Sequence, residues 1–357
     1  MFDAARLEDL PAFRFGHAQD AQAGTGCTAI IAPEGAVCGV DVRGGGPATR
    51  ETDLLRPENM VEQVHAVVLS GGSAFGLEAS SGVMEALAER EVGFEICGQH
   101  VPIVVGACLF DLPYGLPAHP DKAMGRAAAE AALADAPFAQ GNVGAGCGAT
   151  VGKMLAPEAA MKSGFGYAAV REGDVVVAAL VAVNALGCVR AADGRWLAGC
   201  RDEEGRVMDG VEAMRLSMRA QTPENAAQTV EDPSGSGASR AEATGEAGGA
   251  PHDPRRVPGC TPCENTTIGA IVTNAHLTKA QATKVASCCH DAYARAIWPV
   301  HTLNDGDTIF AYASGEAAVP SPDLVSLLGC AAMQQAIENA VLSATSAFGL
   351  PAARDLG

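Results

Sequence analysis

Thr266 and Thr267 stand where a long segment rich in Ala, Gly, Ser, Glu and Pro meets a β-branched, aliphatic run, Ile268-Gly269-Ala270-Ile271-Val272. That run reads as a buried strand, so two hydroxyls sit at the border between a mobile segment and a rigid core element. A hydroxyl there could attack the peptide bond on its own amino side, here Asn265–Thr266. The amine so released would make the same threonine a nucleophile carrying its own base.

Other residues along the chain could serve such a nucleophile. Lys153 closes the run from Gly141 to Gly152, five glycines in thirteen residues, which no helix or strand interior tolerates. The lysine is flanked by Val151, Gly152, Met154 and Leu155, so it is either a solvated charge or a buried ammonium seeking carboxylates. Asn184 ends an apolar run and either caps a turn or points into a site. Asp305-Gly306-Asp307 precedes a strand, and its carboxylates form a plain turn, share a cation or meet a buried lysine. Gly71-Gly72-Ser73-Ala74-Phe75-Gly76 follows a short strand and precedes a helix. It lacks the lysine of a phosphate-binding loop, because Leu77-Glu78 follow, and lacks the glycine of a hydrolase nucleophile elbow, because Phe75 stands there. These glycines instead bring helix and sheet together or line a pocket with N–H groups. Cys260-x-x-Cys263 has knuckle spacing with no second pair at ribbon distance, and His290 is a lone histidine on a helix.

The elements that must position these groups alternate along the chain. Strands are expected over 28–32 and 36–42, joined by a turn at Pro33-Glu34-Gly35, and again over 64–70 and 101–106. A hairpin is expected from 165–171 and 174–184 across Glu172-Gly173, its second strand apolar on both faces and hence central. Helices are expected after Gly76, over 121–134 and, weakly, over 205–220. Another starts at the capping box Thr278-x-x-Gln281, and a long one covers about 322–347. A strand covers 308–312. Arg43-Gly44-Gly45-Gly46 reads as a turn that needs backbone freedom. Residues 221–259 contain almost no large apolar side chain and are expected to be a disordered linker.

Composition bounds the function. The 357 residues are 48% apolar and 18% charged, with 42 Gly and 4% aromatics, so the core is built from Ala, Val, Leu and Ile packed closely. A net charge of −18 offers no basic face to nucleic acid or anionic lipid. The 12 Cys mostly stand singly among apolar or glycine neighbours, as buried reduced thiols do. With no signal-peptide pattern and no run of membrane-spanning length, the chain is expected to be cytoplasmic.

Taken together, the pieces resemble the P1-type (S58) peptidases, a group of D-aminopeptidase/esterases, β-peptidyl aminopeptidases and nylon-oligomer hydrolases. The resemblance rests on seven segments in order: Thr25-Gly26-Cys27-Thr28, Val40 to Gly45, Leu69 to Leu77, Val143 to Lys153, Val183-Asn184 with Gly187, Asn265 to Ile268, and His301-Thr302 with Asp305 to Thr308. It implies an α/β fold, an αββα sandwich of the N-terminal-nucleophile kind also seen in ornithine acetyltransferases. It further implies a precursor that cuts itself at Asn265–Thr266 into an α chain (1–265) and a β chain (266–357), which remain one structural domain. Thr266 becomes the nucleophile. The nylon-oligomer branch is most similar, since it pairs the threonine with Lys153, Asn184, Asp305 and Asp307. Phe75 stands where that branch can carry Tyr, and with Gly72 and Ser73 it is the expected substrate-binding rim.

The implied activity is hydrolysis of amides or esters, by an aminopeptidase or amidase on small peptides or ω-amino-acid oligomers. No metal and no cofactor is expected, and the resemblance implies a homo-oligomer of αβ units. Two alternatives remain: an acyl transferase like ornithine acetyltransferase, or a non-cleaving binding protein that uses the glycine-rich pocket.

Overall fold

The computed structural model describes residues 2–220 and 265–356. The expected linker over 221–259 and the Cys260/Cys263 pair lie outside the described residues.

Ten strands build one mixed sheet: β1 (Asp3–Ala5), β2 (Arg14–Asp20), β3 (Thr25–Val42), β4 (Ala48–Arg50), β5 (Val64–Ser70), β6 (Val104–Cys108), β7 (Phe165–Glu172), β8 (Val175–Asn184), β9 (Thr266–Ala275) and β10 (Thr308–Ala317). Their order is β1-β7-β8-β9-β10-β3-β5-β6-β4, with β2 also on β3. Only β9–β10 and β5–β6 pair in parallel. The described residues hold five α-helices: α1 (Glu78–Ala88), α2 (Lys122–Leu133), α3 (Gly210–Ala220), α4 (Lys279–Ala296) and α5 (Pro322–Ser343). Of these, α1, α2, α4 and α5 pack on the sheet, while Ala213 of α3 packs against Met154, Cys188 and Cys200.

The expected turn at Pro33-Glu34-Gly35 does not divide β3. The strand runs on through it, with a register shift against β5 between Ile31 and Ala36 and Gly35 at φ 76°. Its first half pairs with β2 and β5 and its second half with β10. The bulge lets one strand belong to both halves of the sheet, which fold face to face.

Side-chain alternation then sets the layers. Along β8, Val175, Val177, Ala179, Val181 and Val183 join Val285, Ala286, Met333 and Ile337 of α4 and α5. The intervening Val176, Ala178, Leu180 and Ala182 join Ile30, Val67, Leu69 and Val105 from the other half of the sheet. A third core sets Cys27, Ala29, Ile31 and Val68 against Val83 and Ala86 of α1 and Ala128 and Ala129 of α2. The result is a helix–sheet–sheet–helix sandwich. All of β8 is buried because both its faces meet a core, each large aliphatic contributing about 1.5–3 kcal/mol.

Local signals behave as their chemistry demands. Thr278 Oγ1 accepts from the Gln281 N–H, and the Gln281 side chain reciprocates, so the capping box starts α4. The β7–β8 hairpin turns at Gly173 with Glu172 opposite Val175. The strand expected at 101–106 is displaced to β6, since Pro102 cannot donate to a ladder. The ten cysteines among the described residues are all unpaired. No helix among the described residues is long and apolar enough to cross a membrane.

Candidate active site

The first residue of β9 lies beside the last residue of β8: Thr266 pairs with Asn184 and Thr267 with Val183. Here the expected junction becomes geometry. Thr266 is buried, and its Oγ1 donates to the Asn265 carbonyl at 2.5 Å. The nucleophile candidate therefore touches the peptide bond it would attack. The Asn265 N–H donates to the Asn304 carbonyl (3.0 Å), and the same Asn265 carbonyl accepts the Gly306 N–H (3.0 Å). The Asn265 side-chain amide is buried with no partner among the described residues, so residue 265 is held by its backbone.

Asn184 is turned by four contacts. Its Oδ1 accepts from Lys153 Nζ (2.8 Å), the Thr150 N–H (3.0 Å) and Thr150 Oγ1 (3.4 Å). Its Nδ2 donates to the Phe110 carbonyl at 2.8 Å. Lys153 Nζ also donates to the Asn184 carbonyl at 3.0 Å, so the lysine is the buried ammonium and not the surface charge. Burial pushes its pKa down to about 7, opposed by the Asp305 and Asp111 charges. Among the described residues Lys153 makes no ion pair with Asp305 or Asp307. Lys153 is tied to Asn184, whereas the two aspartates bond Thr302, Thr267 and His301, so the expected charge network is not joined by direct contacts among the described residues. Gly152, at φ 74°, would set a Cβ 1.9 Å from the Gly199 carbonyl carbon, so only glycine carries the chain into Lys153.

The two aspartates are both buried but do different work. Asp305 Oδ2 accepts from the Thr302 N–H (2.8 Å) and hydroxyl (2.6 Å). Burial, then the neighbouring Asp307 charge, raises the Asp305 pKa to about 6. Asp307 Oδ1 accepts the Thr267 N–H at 2.7 Å, fixing the start of β9. Its Oδ2 takes the His301 N–H (3.0 Å) and Nδ1 (2.8 Å). The 302–307 loop is clamped in turn by the end of β3: the Arg43 N–H bonds the Asp307 carbonyl (2.9 Å) and the Gly46 N–H the Asp305 carbonyl (2.8 Å). A Cβ on Gly44 would lie 2.2 Å from the Asp305 carbonyl oxygen. Gly44 and Gly45 serve close approach, and neither they nor Gly46 has a positive φ.

The expected rim is tied to the Leu109–Asp111 segment. Gly72 (φ 82°) donates its N–H to Asp111 Oδ1 at 2.7 Å, and the Ser73 N–H goes to the Leu109 carbonyl at 2.8 Å. Phe75 is 64% exposed and leans on the His119 ring at 5.4 Å. None of the three hydrogen-bonds to Thr266, Lys153, Asn184, Asp305 or Asp307. The glycine turn reaches the centre through Asp111, whose neighbour Phe110 holds Asn184.

Comparison with known proteins shows the family. The Peptidase family S58 model matches residues 5–353. This chain belongs to peptidase family S58. It is 38% identical, over 98% of its length and 97% of the relative's, to an uncharacterized aminopeptidase of Mycobacterium tuberculosis. It is 33% identical to the 6-aminohexanoate-oligomer endohydrolase of Paenarthrobacter ureafaciens, over 88% of this chain and 76% of that one. The L-aminopeptidase D-Ala-esterase/amidase of Ochrobactrum anthropi, described as a variant of the Ntn hydrolase fold, superposes with a TM-score of 0.60 at 16% identity. That match spans 96% of this chain and 88% of that one. The fold is thus of the N-terminal-nucleophile hydrolase kind, and this S58 chain is a hydrolase.

Three polar residues beside this cluster, Thr150, Tyr114 and Lys162, escape sequence reasoning. Thr150 feeds Asn184, and its Oγ1 shares a hydrogen bond with the half-buried Tyr114 hydroxyl at 3.1 Å. Tyr114 is one of only four tyrosines and sits in Asp111-Leu112-Pro113-Tyr114-Gly115, an aromatic in a turn-rich loop. That is the signal which could have marked it. Lys162 is a second buried lysine; its Nζ donates to the Ala149 (2.9 Å) and Gly146 (3.2 Å) carbonyls and ties down the glycine run.

Proposed function

We propose that Thr266 is the nucleophile of a self-processing amide hydrolase. The observation that carries this reading is the Thr266 hydroxyl resting on the Asn265 carbonyl, inside a cluster of buried polar groups. In the precursor, Oγ1 attacks the Asn265 carbonyl carbon, a C–O bond forms and the Asn265–Thr266 C–N bond breaks. The freed nitrogen takes the hydroxyl proton. Water then hydrolyses the ester, giving a carboxylate at 265 and a free amine and hydroxyl on Thr266. Residues 1–265 and 266–357 are the resulting α and β chains.

In the cleaved enzyme the Thr266 amine receives the Oγ1 proton as the oxygen attacks a substrate amide, and the leaving amine takes that proton away. Water regenerates the threonine. An α-amine titrates at about 7.7–8.0, so it is a competent base near neutrality. Asn184, held by Thr150, Lys153 and Phe110, has a second Nδ2 hydrogen for the developing oxyanion, a contribution on the order of 100-fold elsewhere. Lys153, Asp305 and Asp307 orient the start of β9. The relatives' names make aminopeptidase or short-oligoamide hydrolysis the reading favoured here, in homo-oligomers of αβ units in the cytoplasm.

Intact mass and N-terminal sequencing test it. The wild type should give two chains, the smaller reading Thr-Thr-Ile-Gly, while Thr266→Ala should remain one inactive chain. Two chains from Thr266→Ala would refute the assignment.

A further inference from the structure

Residue 265 is held by two backbone hydrogen bonds. Its N–H donates to the Asn304 carbonyl and its carbonyl accepts the Gly306 N–H, each at 3.0 Å. Asn265 and Asp305 thus form a one-residue parallel bridge. The Asn265 side chain makes no hydrogen bond among the described residues. What the protein grips is one α-amino-acid backbone unit, with its carbonyl presented to Thr266.

Both gripping groups belong to a segment that the proposed cut does not touch. Asn304, Asp305 and Gly306 are fixed by Thr302 and by the Gly46 N–H on the Asp305 carbonyl. Gly306 is bare because a Cβ there would stand 2.8 Å from Thr266 Oγ1 and 3.0 Å from the Gly46 carbonyl oxygen. Its N–H lies at the distance from the reacting oxygen that oxyanion stabilisation requires. Asn304 is exposed, so its carbonyl can be reached from solvent once residue 265 withdraws.

We infer that the place vacated by residue 265 is the acyl subsite of the mature enzyme, in which the Gly306 N–H holds the reacting carbonyl oxygen and the Asn304 carbonyl accepts the N–H of the acyl residue. This rests on Thr266 as the nucleophile. It narrows the substrate to α-aminoacyl amides, whose N–H and carbonyl are separated by one carbon. A 6-aminohexanoyl group carries its amine four carbons further out and leaves the Asn304 carbonyl unpaired. The precursor is then its own first substrate.

Three p-nitroanilides test the subsite on the cleaved enzyme: glycyl, methoxyacetyl (no donor at that position) and 6-aminohexanoyl. A site built around an N–H rejects the analogue lacking it, so glycyl should exceed both others in kcat/KM by ~100-fold. Methoxyacetyl or 6-aminohexanoyl equal to glycyl overturns the subsite. A precursor carrying glycolate in place of Gly306, an ester that removes the N–H and weakens the Asp305 carbonyl as acceptor for Gly46, should cleave itself ~100-fold more slowly. An unchanged rate also overturns it, and this arm decides alone if no anilide reacts. An acyl mass increment on the 266–357 chain with whichever anilide reacts keeps the nucleophile even where the subsite fails. A Thr266→Ala chain that still cleaves sinks both.

Discussion

Replacing Lys153 by methionine isolates one buried charge. The native pKa of Lys153 is about 7, against 10.5 for an ordinary lysine, and burial is the main cause. A base whose native pKa is depressed binds fewer protons in the folded than in the unfolded state between those values, so stability climbs with pH through the window and is lowest below it. Integrating that difference from pH 7 to 8.5 gives a gain on the order of 2 kcal/mol from this one group. Lys162, lowered to about 7 by burial as well, adds a comparable gain that Lys153→Met leaves in place. Buried thiols such as Cys38 and Cys108, raised well above the usual thiol value by burial, oppose the trend at high pH but are common to both proteins. Methionine fills the volume, and Asn184 Oδ1 keeps the Thr150 N–H. Urea unfolding at pH 7.0 and 8.5, with both proteins in the Thr266→Ala background so that one uncut chain is followed, reads the difference directly. The wild-type lysine should show the larger rise, by roughly 1–2 kcal/mol. Equal rises would mean that Lys153 is already solvated, and the reasoning fails.

Other substitutions follow from the same contacts. Asp307→Asn puts an amide where three donors converge, from the Thr267 N–H and the His301 N–H and Nδ1. It should cost about 1–3 kcal/mol in unfolding experiments and slow self-cleavage by displacing the start of β9; wild-type values for both would show that Asp307 is not the anchor. Gly44→Ala drives a Cβ to 2.2 Å from the Asp305 carbonyl oxygen, so the 302–307 loop must move. Self-cleavage should fall at least ~10-fold by gel densitometry, because small misplacements of reacting groups carry large rate penalties. Normal processing would show that the loop has slack.

The legible parts of this protein are those where one residue type answers one local demand. The capping box at Thr278 and Gln281, the doubly apolar β8 and the polar-to-aliphatic change at Thr266 each stand in the chain as they stand in the fold. β3 was not legible, since Pro33-Glu34-Gly35 is the pattern of a turn and becomes a bulge only because β5 and β10 hold both flanks. Gly44 and Gly45 read as turn glycines, whereas their purpose is contact with a loop some 260 residues later (305 against 44). Lys153 left two readings open because burial depends on a partner, Asn184, that only the fold supplies. The family resemblance marks Phe75, which stands 64% exposed after the glycine turn, while Tyr114 has no spacing that ties it to Thr150.

The electrostatics of the site follow from what burial does to each sign of charge. Lys153 is lowered to about 7 and Asp305 is raised to about 6, so desolvation moves both toward the neutral form. Had they been in direct contact, the ion pair would have driven the two values apart. Asn184 stands at Lys153 instead, accepting from its ammonium with an amide oxygen that carries no charge. The lysine therefore stays within reach of losing its proton near neutral pH. A newly formed Thr266 amine titrates at about 7.7–8.0 before any perturbation. A cut at Asn265–Thr266 would thus introduce a third proton-binding group whose affinity lies near the other two. The site then needs no large pKa shift on the threonine, only a buried frame that keeps the neighbouring proton from being fixed at Lys153.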